Sequence, residues 1–161
     1  MDELAEAAKK SALLMIPYGL YVLGAKNGSD YAAGTINWVT QTSFKPPLVA
    51  MGVKADSGLY AVLKASGSFA LSFLASGQKN LAFAFFKPTN VKGETINGQQ
   101  FETHETGAPI ISAAAAWVEG RIVGSVEMGD HHCFIGEVTN AATNSDAKLL
   151  TLEECGVKYG G

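Results

Sequence analysis

The most informative stretch of the chain covers residues 34–49 and reads GTINWVTQTSFKPPLV. Six of its first ten residues carry a hydroxyl or amide side chain, although the chain as a whole is rich in apolar residues. Lys45-Pro46-Pro47 then interrupts any regular element. The pattern predicts a strand over residues 31–42, a break at the prolines and a second strand over residues 48–53.

The polar side chains of this first strand have two interpretations. In one, they face water on an edge strand. In the other, Thr35, Asn37 and Gln41 line one side and hydrogen-bond a flat heterocycle or its polyol chain. Such a ligand needs neutral donors and acceptors at fixed spacing, and a rigid strand supplies them. The stretch by itself leaves both interpretations open.

Helix signals occur at three places. Residues 2–14 predict a helix that is capped by Asp2 and followed by Pro17. Two shorter helices are predicted after strands, at residues 57–65 and 78–86, where Ser66-Gly67 and Lys87-Pro88 end them. These helices interrupt a chain that otherwise has a β-type pattern.

Short strands and turns make up the remainder. Asn27-Gly28 is a strong hairpin signal, and residues 88–109 are rich in turn residues, which is typical of a functional or flexible loop. Further strands are predicted at residues 18–24, 68–74, 115–123, 133–141 and 149–152. Many short strands with inserted helices predict a mainly β fold, a barrel with helical additions.

Composition narrows the class of protein. The chain has 161 residues, of which 47% are hydrophobic and 17% charged, with a net charge of −3. A disordered chain would have more charge and fewer apolar residues, and a nucleic-acid binder would need clustered cations. We therefore expect one compact domain over residues 1–161 and no nucleic-acid partner.

No feature of the sequence indicates secretion or insertion into a membrane. The acidic, alanine-rich start does not resemble a signal peptide. The longest apolar stretch, residues 12–25, contains Pro17 and is shorter than the ~20 residues of a membrane helix. Cys133 and Cys155 lack metal-ligand spacing and are expected to be reduced thiols. We expect a cytoplasmic protein without a membrane segment.

Common catalytic signatures do not occur in the sequence. It has neither of the two glycine-rich nucleotide fingerprints, no nucleophile elbow of serine hydrolases and no zinc-protease helix motif. His131 and His132 are adjacent, so on a strand they point to opposite faces and cannot bind one metal together. No metal site is expected.

Two further segments allow a structural and a functional interpretation. Ser57, after Lys54, caps a predicted helix, and a helix start with a hydroxyl and a lysine nearby also suits a phosphate. Gly129-Asp130-His131 forms a turn before a strand, where a histidine is more often structural. Neither segment is decisive alone.

Taken together, the segments resemble the flavin reductase-like family, the FMN-binding split-barrel proteins. The resemblance covers about residues 14–161 and depends on the order of several motifs rather than on any one of them. The closest branch contains flavoredoxin and the reductase modules fused to rubredoxin or flavodiiron proteins. The motifs are Thr35-Ile36-Asn37, Pro46-Pro47-Leu48-Val49, Ser57, Phe69-Ala70-Leu71-Ser72-Phe73-Leu74, Gln78 to Ala82, Gly129-Asp130-His131, Phe134 to Val138 and Tyr159-Gly160-Gly161.

The resemblance implies a split β-barrel with an N-terminal helix and two inserted helices, which binds FMN (or FAD). It also implies hydride transfer from NADH or NADPH to the flavin, with electrons passed to free flavin, a monooxygenase, rubredoxin or a flavodiiron partner. His131, beside Asp130, would face the nicotinamide or substrate. The implied cofactor contacts are Thr35, Ile36, Asn37, Trp38, Thr40, Gln41, Lys54, Ser57, Gln78 and Phe85.

Three points stay open at this stage. Trp38 replaces a small serine of many relatives, so its indole either covers one face of the flavin or points into the core. A flavoredoxin-type electron-transfer protein, or a non-enzymatic module that binds haem or another flat ligand, would fit the same fold. The low charge and the apolar runs at residues 83–86 and 110–118 favour a homodimer that hides apolar surface.

Overall fold

Residues 2–161, which the computed structural model describes, form eleven strands and four helices. The helices are α1 (Glu3–Leu13), α2 (Gly58–Ser66), α3 (Lys79–Ala84) and α4 (Leu152–Cys155). The strands are β1 (Tyr21–Asn27), β2 (Asp30–Ile36), β3 (Val39–Ser43), β4 (Leu48–Lys54), β5 (Ser68–Phe73), β6 (Val91–Lys92), β7 (Thr95–Ile96), β8 (Gln99–Glu102), β9 (Ile110–Ile111), β10 (Ala116–Val126) and β11 (His131–Thr143).

Seven strands form an antiparallel sheet that curls on itself, in the order β2-β1-β5-β10-β11-β4-β3. Helix α2 contacts β1 and β2 near one edge and β4 near the other, which is possible because the sheet is curved. Phe69 of β5 lies over Gly136 of β11, where an added Cβ would be 2.4 Å from the ring. The architecture confirms the predicted mainly β split barrel.

Several local predictions are confirmed. The Asp2 carboxylate caps α1 by accepting from the Ala5 N–H at 2.8 Å. Ser57 caps α2, and Gly67, with φ of 69°, ends it in the left-handed conformation that glycine favours. The hairpin between β1 and β2 turns at Gly28. These elements depend on neighbouring residues, and this explains why a local pattern predicts them.

Two strand predictions are wrong in part. Residues 31–42 form two strands, because β2 pairs with β1 at one edge of the sheet and β3 pairs with β4 at the other. The chain crosses between the two edges at Asn37-Trp38. Residues 149–152 make isolated bridges, Gly19 with Thr151 and Ala75 with Leu149, after which Thr151 caps α4.

The loop-rich segment at residues 88–109 is more ordered than its composition suggests, since β6 to β9 form a small sheet. It is fastened by the fully buried carboxylate of Glu119 on β10. That carboxylate accepts hydrogen bonds from the N–H groups of Glu105 and Thr106, the Thr106 hydroxyl and the Asn140 amide, at 2.7–3.0 Å. Burial of an ionised group is tolerated here because donors surround it.

The apolar run at residues 110–118, expected at a subunit interface, lies mostly in the core of its own chain. Ile110, Ile111, Ala114 and Trp117 are at most 5% exposed, because this run forms β9 of the small sheet and the first residues of β10 in the large one. Helix α1, by contrast, buries none of its residues. No helix among residues 2–161 is long and apolar enough to cross a membrane.

Candidate functional site

The ends of three strands meet at one place on the barrel. Trp38 precedes β3, and its carbonyl accepts from the N–H of Gly52 in β4 at 2.8 Å. After β4, the N–H of Ala55 donates to the carbonyl of Asp130 at 2.9 Å. His131 then begins β11, directly opposite the last residue of β4. Residues far apart in sequence thus become neighbours.

An aromatic cluster of Trp38, His131 and Tyr159 covers this meeting point. The centroid of the Trp38 ring is 4.6 Å from that of His131 and 5.4 Å from that of Tyr159. A hydrogen bond joins His131 Nε2 to the Tyr159 hydroxyl, and Nδ1 is 2.8 Å from Asp130 Oδ1. Because an ionised carboxylate only accepts, Nδ1 carries a proton and donates to Asp130, which leaves Nε2 to share its hydrogen bond with the tyrosine hydroxyl.

The surroundings of Asp130 and Tyr159 determine whether each side chain is ionised. The hydrogen bond and the charge of His131 lower the pKa of Asp130, so this carboxyl is ionised at neutral pH. Burial raises the pKa of Tyr159; nearby Lys54 opposes the rise, whereas Asp130 and Asp56 add to it. The phenol is therefore a neutral hydrogen-bond donor at physiological pH.

Two donors next to the cluster are poorly used. Asn37 is 6% exposed, and its Nδ2 reaches the Tyr159 carbonyl only at 3.4 Å. Trp38 Nε1 is buried and has no acceptor within hydrogen-bond distance among residues 2–161. An unpaired buried donor costs about 1–3 kcal/mol. The chain therefore leaves hydrogen-bonding capacity of these two buried donors unused.

The Trp38 indole lies outside the core clusters, and its contact with a flavin stays a prediction. The side chain packs against Gly52, where an added Cβ would be 3.1 Å from both Cβ and Cε3 of Trp38. It is partly exposed and lies beside His131 rather than inside the core clusters. A flat apolar ring face is thus placed next to the unused donors.

The predicted phosphate residues lie just beyond His131, where β4 leads into α2. The Ser57 hydroxyl donates to the Lys54 carbonyl at 2.7 Å and accepts from the Tyr60 N–H at 3.1 Å, so it caps the helix. Lys54 Nζ is exposed and 3.6 Å from the Asp56 carboxylate, a loose ion pair. The structural interpretation of Ser57 is correct, and its role with phosphate stays a prediction.

Four of the predicted cofactor contacts are buried or hydrogen-bonded away from the aromatic cluster. The Thr35 hydroxyl donates to the Ala82 carbonyl of α3 at 2.6 Å, and Gln78 uses both ends of its amide on backbone groups near that helix. Phe85 is 3% exposed and Ile36 is 9% exposed. Thr35, Gln78 and Phe85 hold α3 in place, whereas Ile36 belongs to the core cluster that includes Leu59 and Leu63 of α2. The contact of these side chains with a cofactor stays a prediction.

A third set, Thr40 and Gln41, lies on the exposed strand β3. Their side chains hydrogen-bond backbone carbonyls within this strand. They line a groove of about 400 Å³ whose other walls are mostly apolar. These walls come from Tyr21, Val39, Pro47, Leu48, Val49, Leu71, Phe73, Val118, Val138 and Leu149.

The histidines occupy separate environments. His132 points away from His131, and its Nδ1 is 2.7 Å from the hydroxyl of Tyr60 on α2. His104 is exposed and stacks on Trp117 of β10, with ring centroids 4.6 Å apart. Adjacent residues on a strand face opposite sides, so only His131 belongs to the aromatic cluster.

Tyr159 is the member of the site that sequence reasoning missed as a functional residue. The motif Tyr159-Gly160-Gly161 was a signal of family resemblance, but nothing in its spacing connects it to Asn37 or His131. Only the fold, which leads the chain from α4 back to the ends of β4 and β11, brings them together.

Comparison with known proteins yields a consistent set of relatives. The family described as flavin reductase like domain matches residues 13–157. The ferric-chelate reductase (NAD(P)H) of Archaeoglobus fulgidus is 28% identical over 87% of this chain and 84% of its own length. The NADH-dependent FAD reductase of Streptomyces globisporus is 36% identical over 78% of this chain and 69% of its own length.

Comparison with solved structures gives the same result as comparison of sequences. The solved structure of an NADH:FAD oxidoreductase from Streptomyces globisporus aligns with a TM-score of 0.78 and 28% identity, covering 94% of this chain and 90% of the other. Longer proteins match as well: the chain spans 23% of diflavin flavoprotein A 1 of Synechocystis and 62% of a high molecular weight rubredoxin of Moorella thermoacetica. The predicted branch of fused modules is confirmed.

Proposed function

Since this chain belongs to the family of flavin reductase like domains, we propose that it is an NAD(P)H-dependent flavin reductase that passes hydride from nicotinamide to flavin. The observation that carries the proposal is the surface at Asn37 and Trp38, where two buried donors are weakly used or unpaired beside an aromatic face. A flat heterocycle with acceptor atoms along its edges fits this surface. Its named relatives with flavin and nicotinamide activities support the same assignment.

The chain's own residues would bind and orient the ligands. When bound, a flavin supplies a two-electron acceptor, so the protein needs to provide geometry rather than an acid or base of its own. Asn37 and the indole N–H of Trp38 would donate to polar atoms of the flavin ring, and the Trp38 ring face would keep water from one side. His131, oriented by Asp130, would contact the nicotinamide or substrate.

We propose that the flavin is FMN, because the start of α2, which would bind its phosphate, lies beside the surface at Asn37 and Trp38. A helix start carries partial positive charge that favours a phosphate, and Lys54 provides a cation near the start of α2. FAD carries the same first phosphate and is an alternative. The proposal does not depend on Thr35, Gln78 and Phe85, whose side chains hold α3 in this structure and whose contact with the cofactor stays a prediction.

We also propose a homodimer. Helix α1 has no buried residue, and an 11-residue helix is marginal in water without a packing partner. Leu4 and Met15 are each 83% exposed, and the groove beside β3 is mostly apolar. A second copy would cover such surfaces and would explain the low charge content. A monomer in sedimentation at micromolar concentration would contradict this proposal.

The test of function uses purified protein loaded with FMN. Under anaerobic conditions, addition of NADH or NADPH should bleach the visible flavin bands rapidly. A flavin-loaded protein that neither nucleotide reduces would instead be an electron-transfer protein of flavoredoxin type. A protein that binds no flavin, or one that binds haem, would contradict the flavin proposal altogether. Electron acceptors, including free flavin, a monooxygenase, rubredoxin or a flavodiiron protein, can then be compared by rate of reoxidation.

A further inference from the structure

The segment that follows α4, residues 157–161, crosses the surface at Asn37 and Trp38. We call this segment the strap. Its Tyr159 contacts three residues at once: its carbonyl accepts from Asn37 Nδ2, its ring packs on Trp38 and its hydroxyl bonds to His131 Nε2. One residue therefore occupies the polar groups that the proposed function assigns to flavin and nicotinamide.

Apart from Tyr159, the strap makes few contacts, and its last glycine lies against the end of α1, where an added Cβ on Gly161 would be 2.7 Å from Lys10 Cγ. Each of its residues is exposed, including Tyr159 at 41% and Val157 at 37%. Within residues 2–161, no backbone hydrogen bond outside helices and strands involves the strap, and none of its residues belongs to a strand. Gly156, with φ of 69°, ends α4 immediately before it. A segment with few buried contacts and an unpaired backbone opens at low free-energy cost.

The closed arrangement is also incomplete in its hydrogen bonds. The contact from Asn37 is at the long limit of 3.4 Å, and Trp38 Nε1 stays buried without an acceptor in the described chain. Native structures pair nearly all of their buried donors. A ligand with acceptors at both positions would satisfy this surface better than Tyr159 does.

We propose that the strap competes with flavin for this surface, with Tyr159 as its latch, and that flavin binding displaces Tyr159 from Asn37 and Trp38. The inference rests on the proposed function and adds a residue that tunes affinity for the cofactor. Flavin binds only to molecules in which the strap is open. The apparent dissociation constant for flavin therefore equals the intrinsic constant divided by the fraction of molecules in the open state. Weakening the latch should therefore tighten flavin binding.

The first experiment measures FMN affinity by quenching of flavin fluorescence in the full chain. Tyr159→Ala removes the ring and the hydroxyl and should tighten binding by about five-fold, the effect of roughly one neutral hydrogen bond on an equilibrium. Tyr159→Phe removes only the bond to His131 and should tighten it less. Lys158→Ala, the adjacent control, should bind like the unmodified protein. Unchanged or weaker binding by Tyr159→Ala would overturn the proposal.

A second measurement detects displacement without activity. Trypsin can cleave after Lys158, and mass spectrometry detects the loss of Tyr159-Gly160-Gly161. Saturating FMN should accelerate this cleavage, whereas cleavage after Lys92 in the small sheet should not change. Protection by FMN would overturn competition and show that Tyr159 packs on the cofactor. If neither the native protein nor Tyr159→Ala binds flavin, the proposed function fails, and the competition with it.

Discussion

Replacing Glu119 with glutamine should destabilise the protein strongly, although this residue lies far from the aromatic cluster in sequence. Oε1 accepts from the N–H and hydroxyl of Thr106, and Oε2 accepts from the N–H of Glu105 and the amide of Asn140. An amide nitrogen in place of Oε2 would face the donors of Glu105 and Asn140. In place of Oε1 it would face the Thr106 N–H, whereas the Thr106 hydroxyl can turn and accept from it. The loop between β8 and β9 then loses hydrogen bonds that hold it to β10.

The magnitude follows from the number of bonds. A hydrogen bond to a charged group contributes about 1.5–3 kcal/mol. Loss of at least one such bond, with the others no longer made to a charge, predicts a decrease of about 3 kcal/mol in the free energy of unfolding. For a chain of this length, that corresponds to a melting temperature lower by about 6–12 °C. The matched control is Glu137→Gln, which removes only the ion pair with exposed Arg121 and should cost less than about 1 kcal/mol.

The same carboxylate should produce a pH signature. Burial alone would raise the pKa of Glu119, but the bonds from Thr106, Asn140 and Glu105 outweigh it and lower the pKa. Its contribution to stability is therefore complete above the unfolded value of about 4.3 and is lost as pH falls through the folded value. Urea unfolding of the native protein and Glu119→Gln should show a gap that shrinks at acid pH. A gap equal to that of Glu137→Gln at pH 7, or independent of pH, would refute the reasoning.

Three further substitutions test the candidate site. Asn37→Ala should weaken FMN binding by about five-fold or more, the effect of one lost hydrogen bond, whereas exposed Asn80→Ala should not; equal affinities would place the flavin elsewhere. His131→Ala should slow anaerobic reduction by NAD(P)H more than it weakens FMN binding, and a variant that alters neither would make this histidine structural. Ser57→Ala should lower stability by about 1 kcal/mol through loss of the helix cap and weaken FMN binding more than riboflavin binding; equal losses would exclude a phosphate contact.

Local signals predicted the elements whose cause is local. The cap of Asp2, the turn at Gly28 and the ends of α2 at Ser57 and Gly67 each depend on residues within one turn of the chain. Residues 31–42 failed as one strand because the reason for the break is tertiary: β2 and β3 lie at opposite edges of the curled sheet. The polar β-type pattern of residues 31–42 does not indicate where the chain crosses from one edge of the sheet to the other.

The candidate site was predicted in part for the same reason. Asn37, Trp38, Asp130 and His131 were singled out from motifs, and the fold brings them together. Thr35 belongs to the same motif, but its hydroxyl bonds to α3, 47 positions away, which no motif reveals. Tyr159 and Glu119 escaped notice as functional or anchoring residues because their partners are distant in sequence and chosen by topology.

The most direct measurement of the central claim is a crystal structure of the protein with FMN bound. We expect the isoalloxazine ring to lie against the Trp38 indole and to accept hydrogen bonds from Asn37 Nδ2 and Trp38 Nε1, with the FMN phosphate at the start of α2. A ring seated instead in the apolar groove beside β3, or one that leaves Asn37 and Trp38 untouched, would contradict it.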